Sequence, residues 1–253
     1  MPKNKDLKNL VRARMAKTGE SYSVARLRAL GGPQRPKAAK TVKPMSTEAP
    51  GASGIYQVKI TISEIEPPIW RRLHVPADAS LAQLHRVIQA SFGWLDYHLH
   101  QYIVDGQYLG VPDPEFAEEM PPMKDERDAT LSDLLGAKSI VYEYDFGDSW
   151  KHLIEIESVV ASPEAGVTYP LCTGGERARP PEDCGGVSGY EDLLQILADS
   201  DHEEHRQMKT WVGKKFAPEK FDLLATNRAL QKVRRESSSR PHPRGQHRGP
   251  VVH

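Results

Sequence analysis

Between Tyr56 and Val159 the chain holds several short segments in which apolar and polar residues alternate, most of them joined by tight turns. That pattern directs the chain to a largely antiparallel sheet. Tyr56, Val58, Ile60 and Ile62 alternate with Gln57, Lys59, Thr61 and Ser63, the period-two signature of a half-buried strand. After Glu66-Pro67-Pro68 a second strand is predicted over 69–75, with Ile69, Leu73 and Val75 facing one way and Trp70 and His74 the other. A strand from His98 to Val104 meets Gln107-Tyr108-Leu109 across Asp105-Gly106, a pair that suits the positive φ angles of a two-residue hairpin. Strands over 140–146 and 150–159 flank Gly147-Asp148-Ser149 in the same way.

Helical periodicity falls between and after these strands. Ser80 with Gln83 is a capping box for a helix running to Phe92 and stopped by Gly93. Thr130 and Asp133 open a short helix that ends at Gly136, and the acidic, Pro-rich stretch 112–128 reads as an excursion. Residues 169–189 read as a long Gly/Pro-rich loop, and helices are predicted over 190–198, 203–212 and 218–231. The expected fold is α+β, a largely antiparallel sheet of hairpins with helices packed on it, flanked by flexible basic tails.

Charge divides the chain in the same places. The net charge is zero, yet residues 1–45 carry +10, residues 231–253 carry +5, and the middle carries −15. A polyanion would meet the ends first and be repelled by the middle. The boundaries read as a basic helical hairpin over 1–32, with Leu7, Leu10, Val11 and Met15 at helical spacing, and a flexible linker over 33–53. The α+β domain covers 54–231 and a disordered basic tail 232–253. Two cysteines are too few for a disulfide scaffold, and no apolar stretch has the length of a membrane span or of a secretory signal. The expectation is a cytoplasmic protein with no membrane association.

Several motifs, in order, resemble those of the Ri-plasmid Orf-three-like domain family: Pro67-Pro68-Ile69-Trp70-Arg71-Arg72, Leu84-His85 to Gly93-Trp94, His98-Leu99-His100, Asp145-Phe146-Gly147-Asp148-Ser149-Trp150-Lys151-His152 and Pro180-Pro181-Glu182-Asp183-Cys184-Gly185-Gly186. The resemblance spans residues 55 to about 230 and implies the α+β fold. It also implies an association with mobile elements, since such proteins are often labelled transposon passengers, and it assigns no activity. Where the family often carries a further cysteine before the Pro-Pro-Glu-Asp run, this chain has Arg179, so a cysteine-based metal site would be incomplete here.

One polar group has the chemistry of a metal site. His98 and His100 share a strand face by period two, Asp145 and Asp148 lie at the hairpin with His152 just beyond, and Cys172, Glu182, Asp183 and Cys184 lie on the segment that could close over them. Imidazole, carboxylate and thiolate are the ligands of zinc and similar divalent ions, and an open position would activate water. The bland alternative has these side chains capping turns while Trp70, Trp94 and Trp150 fill the core. Those three tryptophans, Arg177, Glu182 and Asp183 also form a candidate loop or ligand surface.

Arg12, Arg14, Lys17, Arg26, Arg28, Arg234 and Arg235 are candidate nucleic-acid contacts through phosphate backbones. Two functions follow. One is a non-catalytic accessory or binding protein of mobile elements, with basic tails on nucleic acid and an acidic domain on a protein partner. The other is a metal-dependent hydrolase using the His/Asp cluster. Asp145-Phe146-Gly147 does not signal a kinase, since no glycine-rich phosphate loop or His-Arg-Asp motif accompanies it.

Overall fold

The computed structural model describes residues 54–113, 122–160 and 163–239. The hairpin over 1–32, the linker over 33–53 and residues 240–253 lie outside them, and so do Arg12, Arg14, Lys17, Arg26 and Arg28.

Eight strands form one open sheet: β1 (Ile55–Ile62), β2 (Ile69–Pro76), β3 (His100–Val104), β4 (Gln107–Gly110), β5 (Met123–Asp125), β6 (Ile140–Tyr144), β7 (Trp150–Val160) and β8 (Leu171–Glu176). Their order is β5-β4-β3-β6-β7-β1-β2-β8. Every pairing is antiparallel except the short parallel one between β4 and β5. Among the described residues four α-helices accompany the sheet, α1 (Leu81–Phe92), α2 (Gly186–Ala198), α3 (His205–Val212) and α4 (Leu223–Ser239), with a short 3-10 helix at Leu131–Leu134. The α+β expectation holds.

Alternation sorts the two faces of the sheet. Tyr56, Val58, Ile60 and Ile62 of β1 and Ile69, Leu73 and Val75 of β2 are buried in the core with Leu81, Leu84, Ile88 and Phe92 of α1. The opposite face is polar, with Arg72 bonded to Glu157 and Gln57 bonded to both His74 and Glu157. The capping box forms as read: the Ser80 hydroxyl accepts from Gln83, and Gly93 ends α1 at φ +80.

Three expectations are corrected. Residues 169–189 are not all loop, because Leu171–Glu176 is an edge strand on β2. Glycine signalled flexibility in the sequence, but here it permits contact: a Cβ on Gly175 would sit 2.8 Å from the Trp70 carbonyl and 2.9 Å from Phe221. For the same reason α2 begins at Gly186, four residues before the expected Tyr190; a Cβ on Gly189 would collide with the Cys184 carbonyl. The last helix starts after Asp222, whose side chain accepts from Ala225, and runs past the expected end at Gln231 to Ser239. Residues 232–239 are therefore helical, and Arg234 donates to the Thr168 carbonyl while Arg235 is exposed.

The β8 edge is closed by one side chain. Asn227 of α4 accepts the Cys172 N–H through Oδ1 and donates through Nδ2 to the Cys172 carbonyl, at 2.9 Å each, as a neighbouring strand would.

Candidate functional site

The segment between α1 and β3 is where the sequence motifs meet. The strand expected from His98 starts only at His100, because the preceding backbone is tied by side chains instead of a ladder. Leu95 N–H donates to Glu182 Oε1 at 2.8 Å, Asp96 N–H to Gln89 Oε1 at 3.0 Å, and Tyr97 N–H to the Tyr144 hydroxyl at 3.1 Å. Trp94 and His98 turn inward, whereas Leu95, Tyr97 and Leu99 face solvent.

His98 meets the β6–β7 turn and the segment before α2. Its Nε2 lies 3.6 Å from Asp145 Oδ2, 3.8 Å from Glu182 Oε2 and 4.0 Å from Asp183 Oδ1. Donor atoms of His98, Asp145 and Asp183 all fall within 4.8 Å of one another. These separations are too long for hydrogen bonds, and the buried Nε2 of His98 and Oε2 of Glu182 make none. Side-chain exposure is 5% for Asp145, 10% for Glu182, 24% for His98 and 48% for Asp183, so the cluster opens to solvent on one side. Such spacing suits an ion, since metal–donor bonds of ~2.1 Å place neighbouring donors about 3.4 Å apart in a tetrahedron.

The backbone supports this convergence at a cost. Asp96, Asp145, Ser149 and Asp183 all adopt φ between 56° and 58°, the left-handed region that is strained for residues with a side chain. Asp145 is held by its N–H on the Leu99 carbonyl and by Oδ1 accepting from Gly147. Asp148 Oδ2 accepts the Gly185 N–H, fixing the segment that carries Glu182 and Asp183 against the same turn. Tyr144, whose hydroxyl reaches Glu182 Oε1 at 3.4 Å, has its pKa raised by burial and then by Glu182. Sequence reasoning missed Tyr144; the signal was a tyrosine at an inward position of a strand, where a buried hydroxyl needs a polar partner.

The other candidate ligands go elsewhere. His100 Nε2 is 2.8 Å from Glu126 Oε2, and its ring stacks on His85 at 3.6 Å. Period two put His98 and His100 together only on the premise of a continuous strand, which the tied segment breaks. Cys172 is buried on β8, where its thiol donates to the Gly174 carbonyl, and Cys184 packs against the core. Trp94 and Trp150 are core residues, and Trp70 lies partly exposed under Lys59 and Arg72. Arg177 is buried, gripping Glu219 and the Pro67 carbonyl. Arg179 fills the expected cysteine position by lying over the Trp94 ring at 4.7 Å and donating to the Gly93 carbonyl.

His152 is fully buried. Trp94 Nε1–H donates to its Nε2 at 3.1 Å, and its Nδ1 faces the Trp150 carbonyl at 3.0 Å, which fixes the neutral Nδ1–H tautomer. Burial pulls its pKa down to about 4, against the carbonyls that favour the cation. The unfolded chain takes up this proton near pH 6.5 and the folded chain only near pH 4, so stability falls as pH drops through that window. The full effect is on the order of 3 kcal/mol. Urea unfolding of wild type and His152→Gln from pH 7 to pH 4 should show a shallower decline for the variant, whose amide still accepts from Trp94.

The fold is an α+β sheet in which a β-hairpin, a tied segment and a helix start bring His98, Asp145, Glu182 and Asp183 together. The chain belongs to the plasmid pRiA4b ORF-3-like family, whose profile matches residues 54–225. It is 37% identical over 163 residues to the uncharacterized protein y4hQ of Sinorhizobium fredii, covering 64% of this chain and 82% of that one. Among solved structures it is similar to MM3350 of Methanosarcina mazei Go1, described as a protein of unknown function, with 40% identity and a TM-score of 0.62. That likeness covers 68% of this chain and 97% of the other, which consists of little beyond this domain. Among the described residues no helix is long and apolar enough to cross a membrane.

Proposed function

We propose that the domain binds a divalent cation through His98, Asp145, Glu182 and Asp183 and uses it to activate water in a hydrolytic reaction. The observation that carries this reading is the pair of buried atoms without hydrogen bonds, His98 Nε2 and Glu182 Oε2, held at 3.8 Å and flanked by two further carboxylates. Three carboxylates and one imidazole are a hard donor set suited to manganese, iron or zinc. Four donors open to solvent on one side leave a position for water, whose pKa the cation would lower. Metal analysis of protein purified without a histidine tag tests it: about one tightly held divalent ion per chain is expected. Hydrolysis of a panel of esters, amides and phosphodiesters should then cease with EDTA and return with the ion. Absence of stoichiometric metal under saturating Mn2+ and Zn2+ would refute the reading.

Charge segregation favours a second reading for the chain ends: +10 over residues 1–45 and +5 over residues 231–253 flank a middle of −15. Here the tails of a mobile-element accessory protein contact nucleic acid and the acidic domain serves a protein partner. The full chain should bind a fluorescent duplex with an affinity that drops steeply as salt rises, whereas residues 54–231 should not bind at low salt. Equal binding by both would exclude the tails.

A further inference from the structure

The polar face of the sheet is crossed by one row that is apolar apart from Thr61. Tyr108, Ile103, Val141, Leu153, Thr61 and Trp70 stand side by side through the registers of β4, β3, β6, β7, β1 and β2, and Met123 carries the row onto β5. They alternate along their strands with residues that point into the core, such as Tyr102, Tyr142 and Ile154. Leu153, near the middle of the row, is 39% exposed and the others are half-buried. Among the described residues the four helices pack against the core face or along β8, which leaves the row to solvent. Two residues to either side of Leu153 stand exposed charges of opposite sign, Lys151 and Glu155.

We infer that this row is the centre of a homodimer interface, with a second copy of the chain laid on it face to face about a two-fold axis that runs along the row. Such an axis sets Leu153 on its own counterpart and exchanges the two flanks, so that Lys151 of each copy faces Glu155 of the other. An axis along the strands would instead oppose Lys151 to Lys151 and Glu155 to Glu155, so the charge pattern selects the first. Packed sheets cross at about 30°, which displaces residues one row from Leu153 by about 3.5 Å, within reach of a lysine side chain. The area is sufficient. The face covers the strands from β5 to β2 and three rows of side chains, roughly 29 Å by 20 Å, so two copies bury about 1,200 Å2, the lower end of the range for a specific interface. Net charge does not oppose the contact, because the full chain is neutral. Tyr144, which adjoins His98, points to the core face, so the dimer leaves the cation cluster open and does not rest on it.

Sedimentation equilibrium of the full chain tests the dimer. At about 0.15 M salt the wild type is expected to pass from one chain to two with a Kd on the order of 10 μM, as suits an interface of this size. Leu153→Arg opposes two guanidinium groups at the centre and raises that Kd at least about 100-fold. Lys151→Glu and Glu155→Lys, each alone, set like charges face to face and raise it about tenfold, while the double exchange restores it to within about threefold. Both charged positions are exposed, so these variants fold, and the restoration is specific to the axis along the row. Tyr97→Arg, on the exposed apolar segment before β3, leaves the Kd unchanged. A wild type that stays a single chain at about 200 μM would overturn the inference. So would a dimer indifferent to Leu153→Arg, one lost in Tyr97→Arg, or a double exchange no tighter than the single reversals.

Discussion

On the proposed cation site, His98→Ala is expected to lower the affinity for Mn2+ or Zn2+ at least about 100-fold and His100→Gln to leave it within about twofold, because even partners one shell removed from a metal cost 10–100-fold when lost. The contrast is sharp because the two histidines are two residues apart. His98 Nε2 faces three carboxylates without a hydrogen bond, while His100 is committed to Glu126 and stacked on His85. Glu182→Gln should behave like His98→Ala: its Oε1 can still accept from Leu95, so the fold survives, but an amide replaces the charged donor at Oε2. Isothermal titration of the three variants, with circular dichroism to confirm folding, reads the outcome. Unchanged affinity in His98→Ala, or equal loss in His100→Gln, would refute the proposed cation site.

Arg71→Met destabilises the domain by about 4 kcal/mol, the largest effect expected of any surface-typical residue in the chain. The guanidinium is 3% exposed and donates to four carbonyls: Ser91 at 3.0 Å, Trp70 at 2.7 Å, Glu176 at 2.8 Å and Arg177 at 2.9 Å. It lies between the rings of Phe92 and Phe221, at 4.8 and 4.5 Å. Burial lowers its pKa to about 10, which leaves it charged at neutral pH. Methionine fills the space between the rings but abandons every carbonyl, and lysine cannot reach four at once. Arg72→Ala, next in sequence but on the solvated face with Glu157, should cost under about 1 kcal/mol. Thermal melts compare the pair, with a drop of roughly 8–16 °C for Arg71→Met. Similar melting of both variants would remove Arg71 from the core of the fold.

The sequence made Arg71 look like its neighbour, which shows where its legibility stops. Period two placed residue 71 on the inward face of β2, but two of its four partners are the carbonyls of Glu176, the last residue of β8, and of Arg177 just beyond it, and β8 was hidden by its glycines. Local signals that depend only on nearby residues were readable: the Ser80–Gln83 box, the Asp105-Gly106 hairpin and the alternation of β1. What depended on distant packing was not, including the edge strand at Leu171–Glu176 and the early start of α2 at Gly186. The candidate site divided in the same manner. His98, Asp145, Glu182 and Asp183 were all nominated by residue type and motif, yet only the fold could separate them from His100, Asp148, His152 and the cysteines. Asp148 illustrates the limit, since it sits beside the cluster but spends its carboxylate on Gly185.

An open sheet has two free margins, and in a domain of this kind each is a template on which another chain's strand can grow. The amide of Asn227 changes that for β8. By occupying both backbone groups of Cys172 it interrupts the repeat an incoming strand would have to follow, and the helix that carries it stands along the rest of the margin. The opposite margin is the three-residue β5, too short to seed a ladder. Fibre-like stacking is thus discouraged at both ends of the sheet, and at β5 the charges of Lys124 and Asp125 add to the effect.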